Sequence, residues 1–197
     1  MPVRTARRRR LEPEVRRLEI IAAAERLLTR DGPKVRVEDV VREAGAAKGT
    51  FYLYFPSWDD LLEAIRGRIV IAFDAAHPLQ FETGVPADWP QLLDRLAVAF
   101  VDAIVAMRGL HTVLWHTDFT QRRPMPPADD PINRMIAVIR AGQEDGVFAR
   151  IEAAPAGRLL FAVIHETADA LADGEDRERA LAAMRWILRR TLEPEAR

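Results

Sequence analysis

The stretch from Val37 to Phe55, V-E-D-V-V-R-E-A-G-A-A-K-G-T-F-Y-L-Y-F, constrains this chain more than any other. Its first part, Val37 to Ala44, reads as a helix that Gly45 closes. A second helix starts near Lys48 and must stop at Phe55-Pro56, because proline cannot continue a helix and disfavours α geometry in the residue before it. In so short a helix Phe51 and Phe55, four apart, point back into a core and leave Lys48, Thr50, Tyr52 and Leu53 on other faces. Two helices joined by a turn of small residues, the second too short to be a core element alone, have the shape of a helix-turn-helix. Small residues, a lysine and hydroxyls at the start of that second helix suit a major groove, where side chains must reach base edges and phosphates without crowding.

The rest of the chain reads as helix too, with no period-2 run bounded by turn residues and no Asn-Gly or Asp-Gly hairpin. The expected fold class is all-α, with nine helices. The first runs from about Glu14 to Arg30, with Leu18, Ile21, Ala24 and Leu28 as its buried stripe and Asp31-Gly32-Pro33 as its stop. After the helix-turn-helix, Ser57 and Asp60 form an S-x-x-D capping box that opens a helix carrying Leu61, Leu62, Ile65, Ile69 and Phe73. A loop is expected over Asp74 to Asp88. Further helices follow at Pro90 to Met107 (cap Asp88), about Leu110 to Thr120, and Pro131 to about Glu144 (cap Asp130), the last preceded by an irregular proline-rich segment. The final two, Pro155 to Ala172 and Asp176 to Leu192, are joined by three residues only and must form an antiparallel hairpin. Two domains are expected: residues 1–56, with a basic arm over 1–13, and residues 57–197.

Charge supports that division. Residues 1–56 carry 13 basic side chains against 8 acidic, and the remainder 16 against 22, so a net charge of −1 hides one end at +5 and another at −6. The first end suits a polyanion and the second repels it. Arg7 to Arg10 read either as an arm reaching phosphates or a neighbouring minor groove, or as a solubilising tail. With no cysteine, thiol redox chemistry, a disulfide framework and a thiolate metal site are excluded. The absence of a long apolar run and of a signal-peptide pattern leads to the expectation of a cytoplasmic protein.

The helix-turn-helix resembles that of the tetracycline-repressor (TetR-like) family of transcriptional regulators. Gly45, Lys48, Gly49, Thr50, Tyr52, Tyr54, Phe55, Ser57 and Leu62 stand where the family signature has them, as do Ala23, Ala24 and Gly32. The resemblance covers about Val15 to Leu62. It implies a ligand-responsive DNA-binding regulator, a repressor released from a palindromic operator by a small molecule, acting as a homodimer and needing no cofactor. Arg36, Ala46, Ala47, Lys48, Gly49, Thr50, Tyr52, Leu53 and Tyr54 would face DNA, with the amides at the start of the second helix aimed at phosphate. Three positions depart from the signature: Ala47 stands where the family has a Ser or Thr cap, Arg36 where it often has Thr, and Trp58 where it has Lys. An activator, or a DNA-binding protein without effector, is the alternative within the class.

The family resemblance places an effector cavity in the second domain. Phe100, Met107, His111, Trp115, His116, Phe119, Met135 and His165 are the candidate lining, a mix of aromatic, soft and polar groups typical of a pocket wall. A metal site using His111, His116 and His165 is disfavoured: a five-residue separation puts the first two on different faces of one helix, and no spaced carboxylate completes the set. The last two helices are apolar over more than one face, which suggests a second burial partner. Leu160, Val163, Ile164, Leu171, Leu181, Met184 and Leu188 are the expected dimer interface. No nucleophile elbow, phosphate-binding glycine loop or H-E-x-x-H motif supports an enzyme.

Overall fold

The computed structural model describes residues 12–79, 88–123, 125 and 130–194. The arm at Arg7 to Arg10 and most of the expected loop before Asp88 lie outside them. Among the described residues the regular elements are all helical: α1 (Pro13–Asp31), α2 (Val37–Glu43), α3 (Lys48–Tyr54), α4 (Trp58–Ala76), α5 (Trp89–Met107), α6 (Gly109–Trp115), α7 (Phe119–Arg122), α8 (Pro131–Glu144), α9 (Ala153–Ala172) and α10 (Arg177–Leu192), with one 3-10 turn at Gly32–Lys34. These are the nine expected helices, the sixth being broken in two. The break has a local cause, since the Thr117 hydroxyl donates to the Val113 carbonyl at 2.7 Å and accepts the Phe119 amide at 3.3 Å. A side chain that bonds backbone groups in this way competes with the helix ladder.

Several starts follow the anticipated chemistry. Ser57 Oγ accepts the Asp60 amide while the Asp60 carboxylate accepts the Ser57 amide, a reciprocal capping box. Asp88 caps α5 through the Gln91 amide and Asp130 caps α8 through the Ile132 amide. Helix α4 runs to Ala76, three residues into the expected loop. On α1 the buried face is Ile20, Ile21, Ala23, Ala24, Leu27 and Leu28, whereas Leu18, expected in that stripe, is exposed.

Two hydrophobic cores organise the chain. The first gathers α1, α2, Phe51 and Phe55, and also Leu61, Leu62 and Ile65 of α4 and Leu110, Val113 and Leu114 of α6. The amino-terminal core therefore does not close at residue 56, because α6 returns to complete it. The second core is built from α5, α8, α9 and α10. Met107 packs against both. The joint between them is tight at Gly109: a Cβ there would lie 2.7 Å from the Leu28 carbonyl oxygen and 2.8 Å from the Gly32 Cα. Gly32 itself holds φ +59°, a conformation that favours glycine. Helix α6 is thus seated directly on the end of α1.

Candidate nucleic-acid interface and effector cavity

The α2–α3 turn is shaped by Gly45 at φ +60°, with the Gly45 amide bonded to the Arg42 carbonyl and the Ala46 amide to the Val41 carbonyl. Helix α3 is anchored by Phe51 and Phe55, both buried, whose ring centroids are 5.7 Å apart. Trp58 stacks on Phe51 at 6.5 Å, which gives the aromatic at this position a packing role where a lysine would have reached solvent. Arg17 of α1 lies over the Phe55 ring at 5.4 Å, and Arg16 donates to the Ala44 carbonyl at 3.2 Å, so α1 steadies both short helices.

What these anchors leave outside is a compact surface. Ala47, Lys48, Gly49, Tyr52 and Leu53 are exposed, Leu53 at 77%, while Ala46, Thr50 and Tyr54 are partly buried. Tyr52 and Tyr54 are the only tyrosines of the chain. Ala47 occupies the N-cap without a side-chain bond. Lys48 Nζ is held by the Glu38 carboxylate at 2.5 Å, a contact that keeps the lysine's pKa above its ordinary value and the glutamate's below. Arg36 takes a different position from a free phosphate contact. Its guanidinium donates to the Pro33 carbonyl at 3.0 Å, and its amide is accepted by Asp39 at the start of α2.

In the second domain two adjoining apolar cavities, about 420 and 510 Å3 including their mouths, share Phe73, Phe100, Pro131 and Arg134. One extends to Leu93, Met135, Phe161 and Ile164, the other to Ile69, Met107, His111 and Trp115. Of the eight candidate lining residues, Phe100, Met107, His111, Trp115 and Met135 line them. Phe119 does not: it is fully buried in the first core, under the Arg66 guanidinium at 4.8 Å. His116 and His165 lie outside both linings. Phe73, Phe161 and Arg134 were missed, since a phenylalanine on a continuous apolar stripe looks the same whether it faces a core or a cavity. Arg134 is the polar side chain common to both walls, and the second adds Asp74 and His111. Arg134 is paired with Asp74, donates to the His77 carbonyl at 2.6 Å, and lies 6.0 Å from the Phe73 ring centroid.

His111, His116 and His165 come together instead with Asp169, contrary to the expectation of no metal-binding set. The argument from helical faces assumed one continuous helix, but α6 ends at Trp115 and His116 turns out of it. The missing carboxylate is Asp169, one turn after His165 on α9. Its oxygens stand 3.6 Å from His111 Nδ1, 3.3 Å from His116 Nε2 and 3.3 Å from His165 Nδ1, and the Nε2 atoms of His111 and His165 are 3.0 Å apart. Burial, and then the neighbouring His165, pull the pKa of His111 down to about 4 against the pull of Asp169. Burial lowers that of His165 as well.

The expected dimer residues need correction. Leu160, Ile164, Leu181, Met184 and Leu188 are buried inside the second core of a single chain, because their stripe is consumed by α5 and α8; Val163 and Leu171 are half-buried against it. The outer side of the hairpin carries other apolar side chains, Leu159 at 70% exposure and Trp186 at 58%.

A helix-turn-helix head joined through a shared helix to a helical domain with an apolar cavity defines a class of two-part, all-helical DNA-binding folds. Residues 20–65 match the family model described as bacterial regulatory proteins, tetR family. The chain is 41% identical over 75 residues to the HTH-type transcriptional regulator EthR of Mycobacterium tuberculosis, which covers 37% of this chain and 33% of that protein. It is 35% identical over 69 residues to an uncharacterized HTH-type transcriptional regulator of Haemophilus influenzae, covering 34% and 37%. The matched stretches thus span about a third of the length of these curated relatives. The fold matches over nearly the whole chain: the TetR family protein CprB of Streptomyces coelicolor A3(2) superposes with a TM-score of 0.67 at 23% identity, covering 95% of this chain and 92% of that one. A TetR-family regulator structure from Haemophilus influenzae gives 0.59 at 19%, covering 91% and 97%. Residues 20–65 thus resemble the amino-terminal domain of TetR-family regulators, and the chain as a whole shares the fold of these solved structures.

Proposed function

We propose that this protein is a homodimeric transcriptional repressor that holds an operator through α3 of each copy and releases it when an apolar small molecule occupies the cavity between α4, α5, α8 and α9. The observation that carries the reading is the division of labour on α3. Phe51 and Phe55 bury one edge completely, and the opposite surface offers a lysine, a threonine and two tyrosines beside small residues and the exposed Leu53. The effector reading rests on an apolar lining with a single arginine, which suits a mostly hydrophobic ligand bearing one polar group. For the dimer, Leu159 and Trp186 replace the buried residues as the expected contact, since large apolar side chains so exposed on one hairpin favour a partner.

Fluorescence anisotropy on duplexes from the chain's own upstream region tests the proposal. The intact protein should bind one fragment with a steep salt dependence, and Tyr52→Ala should lose that binding while its far-ultraviolet circular dichroism and melting curve stay those of the parent. Binding that survives Tyr52→Ala and Lys48→Ala together overturns the assignment of α3. Apolar ligands that raise the melting temperature should also weaken the complex; stabilisation without any change in DNA affinity overturns the effector half.

A further inference from the structure

We propose that His111, His116, His165 and Asp169 form a divalent transition-metal site, of the kind that takes Zn2+, joining α6 to α9. One donor atom from each of the four residues lies within 4.8 Å of all the others. A tetrahedral zinc ion with bonds of about 2.0 to 2.1 Å needs its ligand atoms about 3.3 Å apart. Two separations from Asp169 Oδ2, 3.3 Å to His116 Nε2 and 3.3 Å to His165 Nδ1, already stand at that edge length, and His111 Nδ1 lies 3.6 Å from the other carboxylate oxygen.

The chemistry of the set suits a cation. Three imidazoles with one carboxylate are borderline ligands that favour zinc and its neighbours over magnesium or calcium. Asp169 and Glu166 set negative charge beside His165, opposing the like charge of His116. Ligation requires neutral imidazole, the form that burial favours at His111 and His165. The Trp115 ring stacks on His111 at 5.2 Å and Phe161 lies 6.1 Å from His165, an apolar shell on the inner side, while the exposed His116 leaves the outer side open for entry. An ion here would clamp α6, which sits against α1 through Gly109 and Gly32, to the helix that leads into the carboxyl-terminal hairpin. The site shares His111 with the wall of the apolar cavity, and the inference does not depend on the operator reading.

The test is calorimetric titration of the chelator-treated full chain with Zn2+, together with the visible spectrum on adding Co2+. One Zn2+ per chain, and an intense cobalt band of tetrahedral character, are expected. His116→Ala and Asp169→Asn, both at partly open positions, should fold as the parent does and bind at least about tenfold more weakly. His77→Ala, the one histidine outside the cluster, should bind as the parent does. If the parent takes up no stoichiometric Zn2+ or Co2+, or if His116→Ala and Asp169→Asn bind like the parent, the four residues are only a hydrogen-bonded cluster and the proposal is overturned.

Discussion

At the scale of single residues, Lys48 and its partner Glu38 set the electrostatics of the α3 surface. Under the proposed operator reading, a lysine held at 2.5 Å by a carboxylate exchanges that partner for a phosphate, and the carboxylate it leaves behind faces the same polyanion. Glu38→Gln should therefore strengthen binding to any duplex by about two- to fivefold, the range of an exposed ion pair. Lys48→Ala should weaken it and flatten the plot of log affinity against log salt by about one unit of slope. Parallel titrations at several salt concentrations check both, and a Glu38→Gln variant that binds more weakly would mean the glutamate positions the lysine. Phe51 answers to packing instead. It is fully buried, so Phe51→Ala should cost about 3 to 5 kcal/mol in denaturant unfolding and lose DNA binding only as a consequence. This distinction was legible from the sequence, because Phe51 and Phe55 are four apart in a helix that proline confines to seven residues. Leu18 and Phe119 were not, since a hydrophobic residue at helical spacing carries no mark of which side its neighbours occupy.

Helices announce their starts more clearly than their interruptions. Ser57, Asp88 and Asp130 were identifiable as caps because each pairs a short acceptor side chain with an amide two or three residues ahead, a purely local arrangement. Ser57→Ala removes the hydroxyl from the Asp60 amide and should lower stability by about 1 kcal/mol, measured by urea unfolding, with the Asp60 half of the box left in place. The stop at Trp115 was illegible: His116-Thr117-Asp118 contains no glycine or proline, and the hydroxyl that takes over the backbone bonds belongs to a residue tolerated inside helices. That hidden break is also why the histidine cluster was misread, since it turns His116 toward His111 and α9. Gly109, just before, tests the seating of α6. Gly109→Ala drives a Cβ into backbone of α1, which cannot rotate away, and should destabilise by about 1 to 3 kcal/mol. A variant as stable as the parent in denaturant would show that α6 can lift from α1 at no cost.

Across the whole molecule, what counts is which apolar surface a single chain satisfies by itself. The breadth of the stripe on the last two helices was visible in the sequence, and Leu159 and Trp186 are the large apolar side chains it leaves exposed. What the sequence could not divide was that breadth, because α5 and α8, which take up Leu160, Ile164, Leu181, Met184 and Leu188, are distant in the chain and carry no signal of where they will pack. The division decides how two substitutions on one helix must differ. Leu188, 3% exposed, lies in the core, so Leu188→Asp buries an unpaired carboxylate and should broaden or abolish the unfolding transition of each chain. Trp186 and Leu159 point outward, so Trp186→Glu combined with Leu159→Asp should leave the chain folded and convert it to a monomer in sedimentation equilibrium at micromolar concentration. The monomer should bind a single operator half-site weakly, because each α3 alone lacks the paired grip that a fixed spacing of two grooves, about 34 to 36 Å, rewards. A doubly substituted chain that remains dimeric would place the interface on another face of the second domain and leave the two exposed side chains without a partner.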